Sequence, residues 1–405
     1  MAVDKCTPCC RCKKQDAVYI SRKEPFCKEC FVRFVRGKQR KQMADYKVTY
    51  APASSTVLKE PKVLLALSLS ESSLALFEML VVLLHEQREM HRNHSGFDLT
   101  VIHINQSSVY PHTTPPSEIM SIIQTQYSDV CTALNVPIDT FFDKSPPIHQ
   151  FSHDKIDDYA FSSTPLSDAV PTVKSVLDGV RDRSSKLDLI EVMRERIIYD
   201  YAKELNCSTV LWGDSMTRLA EKTLTLTSKG RGLVIPHLLS DGVRNGVYNL
   251  TPLRDILREE LVEYVRLAEL SHLVTKSSEP VPSILRMMTI DTILSNYFTD
   301  ISEGFPSIVS TVVRTAAKLA DNVSDTGMVC AICGDPCDDT VPEKWLQDIT
   351  VNVGSAETEP MCHPEAESSS KPLLCYGCLV ATKHTSFPWP EKSSKQEIID
   401  QYEIS

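Results

Sequence analysis

Paired cysteines bracket this chain and constrain its two ends more tightly than any other feature. Cys9-x-x-Cys12 is followed, after fourteen intervening residues, by Cys27-x-x-Cys30. Far downstream, Cys330-x-x-Cys333-Gly334 is followed, after 41 residues, by Cys375-x-x-Cys378. Two such pairs supply four thiolates to one tetrahedral Zn2+, and the tight turn of each pair, which Gly334 permits in the second set, aims backbone N–H groups at its sulfurs. Segments this short bury too little apolar surface to fold alone. Structural zinc contributes on the order of 10 kcal/mol to folding in such cases. The expected ligands are Cys9, Cys12, Cys27 and Cys30 in the first set and Cys330, Cys333, Cys375 and Cys378 in the second. Cys6, Cys10, Cys337, Cys362 and His363 are spare donors that leave the membership of both sets open. Dithiol redox chemistry is the competing reading, for which a single pair would suffice.

Most of the fourteen cysteines lie in these pairs, and Met1 to Cys6 lacks the apolar core of a secretory signal. Reduced metal ligands in the cytosol or nucleus are therefore expected, not a disulfide framework. No run of 18 uncharged apolar residues occurs, so no membrane span is expected. Glycine is scarce, 13 of 405 residues, against about 7% in average usage. The one Gly-x-Gly is Gly230-Arg231-Gly232, so neither a dinucleotide fingerprint nor a Walker A loop can be written.

Charge is unevenly placed. The whole chain has a formal net charge of −10, yet residues 1–62 hold 15 Lys and Arg against 6 Asp and Glu. A basic N-terminal unit ahead of an acidic body suggests a local contact with phosphates. Its focus is Phe31 to Lys41, where basic and apolar residues alternate after the second cysteine pair. Arg33, Arg36, Lys38, Arg40 and Lys41 are the expected RNA-binding cations. The plainer alternative is a helix that docks through Phe31 and Phe34 while its charges meet water.

Hydrophobic patterning divides the chain further. Residues 1–45 form the first zinc module and 46–61 a polar linker. Residues 62–282 alternate apolar runs with helical periodicity, the signature of a parallel α/β sheet. Strands are expected at Lys62–Leu67, Leu99–Asn105 and Ser208–Trp212, and helices at Ser72–Arg92, Glu118–Leu134 and Asp188–Leu205. Residues 143–172, rich in Pro, Ser and Asp, read as an insertion or mobile loop. A helical segment at 283–327, the second zinc module at 328–390 and a tail at 391–405 complete the chain. Cys131, on the face of the second helix, and Cys207, leading into a strand, read as buried small hydrophobes. His103 reads as a hydrogen-bonded core histidine.

The most informative stretch is Val63-Leu64-Leu65-Ala66-Leu67-Ser68-Leu69-Ser70-Glu71-Ser72-Ser73. A buried strand running into Ser-x-x-x-x-Ser at a helix start resembles the PP-loop of the ATP pyrophosphatases, whose pattern is Ser-Gly-Gly-x-Asp-Ser. In that family the glycines let backbone N–H groups wrap the ATP phosphates at a helix N-terminus, and the aspartate helps hold magnesium. Ser68 and Ser73 match, whereas Leu69 and Ser70 replace the glycines and Ser72 the aspartate. Later signatures follow in order: Asp98 to Asn105, Leu211-Trp212-Gly213-Asp214-Ser215-Met216-Thr217, the Gly230-Arg231-Gly232 turn, Pro252 to Asp255 and Glu259 to Tyr264. The ordered set resembles the tRNA-thiolation branch of the family.

That resemblance implies a parallel-sheet PP-loop ATP pyrophosphatase-like (adenine nucleotide alpha hydrolase-like) core flanked by zinc modules. It also implies a cytoplasmic subunit in a heterodimer with a catalytic PP-loop subunit. The pair would place sulfur on C2 of the wobble uridine of tRNAs for Lys, Glu and Gln, taking it from a thiocarboxylated ubiquitin-related modifier. ATP is expected in the partner, because the loop here has lost its glycines. Gly213, Asp214 and Thr217 fall where the family caps the nucleotide; Asp214 here reads as the cap of the following helix. Arg218, Lys222, Lys229 and Arg231 add positive charge open to tRNA, to the partner or to solvent. Two other readings stay in play: an autonomous ATP-dependent tRNA-modifying enzyme with a divergent loop, and a zinc-finger interaction scaffold.

Overall fold

A computed structural model describes residues 7–49, 60–109, 115–143, 148–155, 158–166, 171–275, 288–319, 328–337 and 372–390. Cys6, Cys362 and His363, most of the 46–61 linker and the 391–405 tail lie outside the described residues. In chain order, a hairpin of β1 (Tyr19–Ser21) and β2 (Glu24–Phe26) leads into α1 (Lys28–Gln42). There follow β3 (Lys62–Ala66), α2 (Glu71–Met90), β4 (Asp98–Asn105), α3 (Pro116–Gln126), β5 (Cys131–Pro137) and α4 (Thr140–Asp143). Next come β6 (Ile148–Lys155), β7 (Asp158–Phe161), α5 (Val173–Asp178), α6 (Arg183–Glu204), β8 (Thr209–Trp212) and α7 (Met216–Ser228). The chain continues through α8 (Ile235–Leu239), β9 (Gly242–Arg244), β10 (Val247–Leu250), α9 (Arg258–Leu267), α10 (Ile290–Gly304) and α11 (Pro306–Ala317). Helix α12 (Tyr376–Ala381) and β11 (Thr385–Pro390) are the last elements among the described residues.

Two compact units result. The first comprises Met1–Ile138, Glu195–Thr225 and Ile235–Asp321. Its six-stranded sheet runs β5-β4-β3-β8-β10-β9, parallel except for the edge strand β9. Strand β3 sits at the centre because Val63, Leu64 and Leu65 are apolar on both faces and fully buried, as a strand covered by helices on each side requires. From β3 the order proceeds to β4 and β5 on one side and to β8 and β10 on the other. The switch of direction lies between β3 and β8, where open α/β sheets place their ligand sites. Helix α10 buries Phe298, and α11 buries Val309, against Met216, Ala220 and Leu257.

The second unit comprises Asp139–Arg194, Leu226–Val234 and Asn322–Ser405. It contains the three-stranded antiparallel sheet β11-β6-β7. Phe151, Phe387, Trp389 and Phe141 pack ring against ring beneath it.

Two sequence expectations are corrected. The helix expected over Glu118–Leu134 ends at Gln126, and Cys131 opens strand β5 rather than lying on a helix face. Tyr127, Ser128 and Asp129 form a turn whose polar residues break the helical period. The Cys131 thiol is buried all the same; burial first, then the nearby Asp129 charge, pushes its pKa up to about 11. Residues 143–172, read as an insertion or mobile loop, are not loop throughout, since they include strands β6 and β7. No described helix is long and apolar enough to cross a membrane.

Candidate functional site

The switch point is built from the β3–α2 connection. Leu67 N–H still donates to Ile102 O of the neighbouring strand, and the backbone then turns sharply. The turn needs a left-handed residue, and Leu69 supplies it at φ +60° with its side chain fully buried. Holding leucine there costs about 1 kcal/mol or more, offset by some 2 kcal/mol from burying the isobutyl group. The surrounding hydroxyls serve one another: Ser68 Oγ lies 3.0 Å from Ser70 Oγ and donates to Ser73 Oγ at 3.1 Å, and Ser73 Oγ donates to Ser70 O at 3.1 Å. Ser72 is half-buried in the first turn of α2. Gly213, at the end of β8, closes on the same spot: a Cβ there would stand 2.8 Å from Ser73 Cα.

Asp214 pairs with Lys222 Nζ at 2.7 Å, while the cap of α7 is Ser215, whose Oγ accepts from Arg218 N at 3.2 Å. The capping role assigned to Asp214 thus moves one residue on. Thr217 Oγ1 accepts from Arg258 N at 3.1 Å and so serves the start of α9. Replacing Leu69 with glycine relieves the backbone but empties a core position. Leu69→Gly is expected to destabilise the first unit by about 2 kcal/mol in urea unfolding, since the cavity outweighs the strain.

Each cysteine quartet comes together. The sulfurs of Cys9, Cys12, Cys27 and Cys30 lie within 4.8 Å of one another, as do those of Cys330, Cys333, Cys375 and Cys378. Cys12–Cys27 and Cys333–Cys375 are each 3.7 Å apart. Both C-terminal pairs of a quartet open a helix: Cys27 is the N-cap of α1 and Cys375 that of α12. Cys375 Sγ accepts the backbone N–H of Cys378 at 3.4 Å. Gly334 sits at φ +75°, the turn that its place after Cys333 called for. Burial alone would raise the Cys9 pKa, but backbone N–H groups of Cys27, Cys12 and Arg11 outweigh it and lower it to about 6. Cys10 stands apart, with its thiol 3.9 Å from Glu24. Cys337 is buried beside the second quartet but is not one of the four.

Helix α1 carries the five basic candidates, and the structure divides them. Arg36 donates to Tyr264 Oη and Glu78 at 2.7 Å each. Lys38 donates to Asp255 O at 3.0 Å and lies 3.8 Å from Glu260 and 4.2 Å from the Phe34 ring centre. Arg40 pairs with Glu86 at 2.5 Å. Arg33 and Lys41 are exposed, as are Lys13 and Lys14 on the first cysteine turn. The helix also docks as the alternative reading expected, with Phe31 and Val35 in the main core. Arg218 and Arg258, both partly exposed, meet the buried Glu221 at 3.1 and 2.7 Å. The acids that bind the cations of α1, Glu78, Glu86 and Glu260, were not visible as partners in the sequence. Arg22 and Glu260, likewise, are 238 positions apart, and no local spacing connects them.

A doubly wound sheet with a serine-bearing remnant at its switch point, and a cysteine quartet in each unit, defines the class. Among solved structures, the U34-tRNA thiolase NcsA from Methanococcus maripaludis with its 4Fe-4S cluster is similar at a TM-score of 0.56 and 16% identity, covering 87% of this chain and 98% of that one. The core fold is that of a PP-loop tRNA thiolase. Relatives named cytoplasmic tRNA 2-thiolation protein 2 extend over nearly the full length. That of Debaryomyces hansenii is 35% identical over 98% of this chain and 95% of its own, and that of Scheffersomyces stipitis 36% over 98% and 96%. The counterpart in Yarrowia lipolytica is 32% identical over 98% and 99%. A family model of the same description matches residues 289–380. The chain belongs to the cytoplasmic tRNA 2-thiolation protein 2 family.

Proposed function

We propose that this protein is the non-catalytic subunit of a cytoplasmic tRNA thiolase, required for 2-thiolation of the wobble uridine in tRNAs for Lys, Glu and Gln. Leu69 carries the reading. In a phosphate-binding loop the backbone must approach the ligand closely, and the hydroxyls must be free to meet it. Here the position is filled by a leucine side chain turned into the core, and Ser68, Ser70 and Ser73 are bonded among themselves. These residues do not fit a nucleotide triphosphate. The adenylation that makes the uridine oxygen a leaving group falls to a catalytic PP-loop partner, with sulfur delivered by a thiocarboxylated ubiquitin-related modifier.

This chain supplies binding surface and scaffold. Arg33 and Lys41, with Lys13 and Lys14, offer exposed positive charge to tRNA phosphates. The cysteine quartets suit zinc. A Zn–S bond of about 2.3 Å puts tetrahedral sulfurs about 3.8 Å apart, close to the 3.7 Å found, whereas a 4Fe-4S cube holds its thiolates further apart. Zinc here would hold each module's fold.

The test is wobble thiolation in cells lacking this chain, read by mercury-gel retardation of the three tRNAs. Loss of the retarded band, with rescue by both wild type and Ser68→Ala/Ser73→Ala, is expected. An unchanged band in the depleted cells would overturn the thiolation reading. Rescue by wild type alone, with the variant shown to be folded, would return the loop to the chemistry.

A further inference from the structure

In the second unit a buried cation abuts the C-terminal quartet. Arg231 Nη2 lies 3.7 Å from Cys378 Sγ and 3.3 Å from Asp188 Oδ2. Lys229 Nζ holds the other Asp188 oxygen at 2.6 Å, and all three side chains are nearly excluded from solvent. The packing permits little else. A Cβ at Gly377 would come within 2.4 Å of the Arg231 side chain, and one at Gly230, which stands at φ +68°, within 2.3 Å of the Tyr376 ring. The Gly230-Arg231-Gly232 turn and the Cys375-Tyr376-Gly377-Cys378 turn are thus fitted to each other. A guanidinium has no reason to be buried unless negative charge waits for it, and one carboxylate already matched by Lys229 is not enough. A metal bound by four thiolates supplies the rest: with a divalent ion, the quartet carries two net negative charges in a dry site.

We propose that Arg231 is a positioning residue of the C-terminal metal centre. It donates to the Cys378 thiolate, offsets the charge of the four-thiolate site, and is itself aimed by Asp188. This rests on the reading that the quartet binds metal. Partners of this kind commonly change metal affinity by about 10–100-fold when removed.

The experiment uses the full chain purified with zinc, carrying Arg231→Met, Arg231→Lys, Asp188→Asn or, as a reference, Cys378→Ser. Zinc release to a coloured chelator is followed, and the cobalt-substituted proteins are examined for their thiolate-to-cobalt charge-transfer band. Wild type is expected to release zinc in two phases, with the phase lost in Cys378→Ser accelerated about 10–100-fold in Arg231→Met. Asp188→Asn, which keeps the cation but frees it, should fall between. In cobalt protein, loss of the N–H···S contact raises the sulfur lone pair and moves the band to lower energy, with Arg231→Lys partly restoring it. Equal release and an unmoved band in Arg231→Met would overturn the role of Arg231. A wild-type protein indistinguishable in metal content from Cys378→Ser would overturn the metal reading, and the inference with it.

Discussion

Cys27→Ser is expected to release metal from the N-terminal quartet and unfold residues 7–43, the largest stability loss predicted here. Cys27 is both a member of the quartet and the N-cap residue of α1. The hairpin has only three residues per strand, far too little to persist alone. Metal binding and folding are therefore one event, on the order of 10 kcal/mol. The damage should spread, because Phe26, Phe31, Val35 and Met43 belong to the same buried cluster as Leu74, Phe77 and Leu261 of the α/β unit. Zinc analysis and limited proteolysis would read both effects. A variant that loses no metal and resists protease like wild type would refute the assignment.

The second large effect is expected at Glu260. Its carboxylate is about 1% exposed and accepts from Ser21 Oγ at 2.5 Å, Arg22 Nε at 2.9 Å and Leu257 N at 2.9 Å. One group thus holds the hairpin and caps α9. Glu260→Gln preserves shape but removes the charge opposite Arg22 and Lys38. Breaking a buried pair costs up to about 3–5 kcal/mol; because Arg22 can regain water, about 2–3 kcal/mol is expected. Hydrogen exchange should quicken in α9 and in the β1–β2 hairpin together. Faster exchange in neither, with unchanged urea stability, would contradict the linkage.

The sequence carried what local chemistry encodes. The apolar run at Lys62–Leu67 read as a buried strand, and the spacing of the cysteine pairs led to the two quartets found. Gly334 was legible as a turn because glycine alone enters that conformation cheaply. Leu69 was legible as a departure from the glycine pattern, but not as a left-handed residue with its side chain in the core. That depends on what β3 packs against. The strand at Cys131 was hidden because Ile119, Met120 and Ile123 set a helical period that Tyr127–Asp129 interrupts without Gly or Pro. Basic residues on α1 resembled a nucleic-acid surface because their neutralising acids lie on α2 and α9. Arg36 and Arg40 could be told from Arg33 and Lys41 only by tertiary contact.

The central claim is that thiolation needs this chain but not nucleotide chemistry at its loop. The direct measurement is release of AMP and pyrophosphate from labelled ATP by the purified full chain with magnesium and tRNA, without its partner. The account predicts no release above the protein-free blank. Release that disappears in a folded Ser68→Ala/Ser73→Ala variant would contradict it.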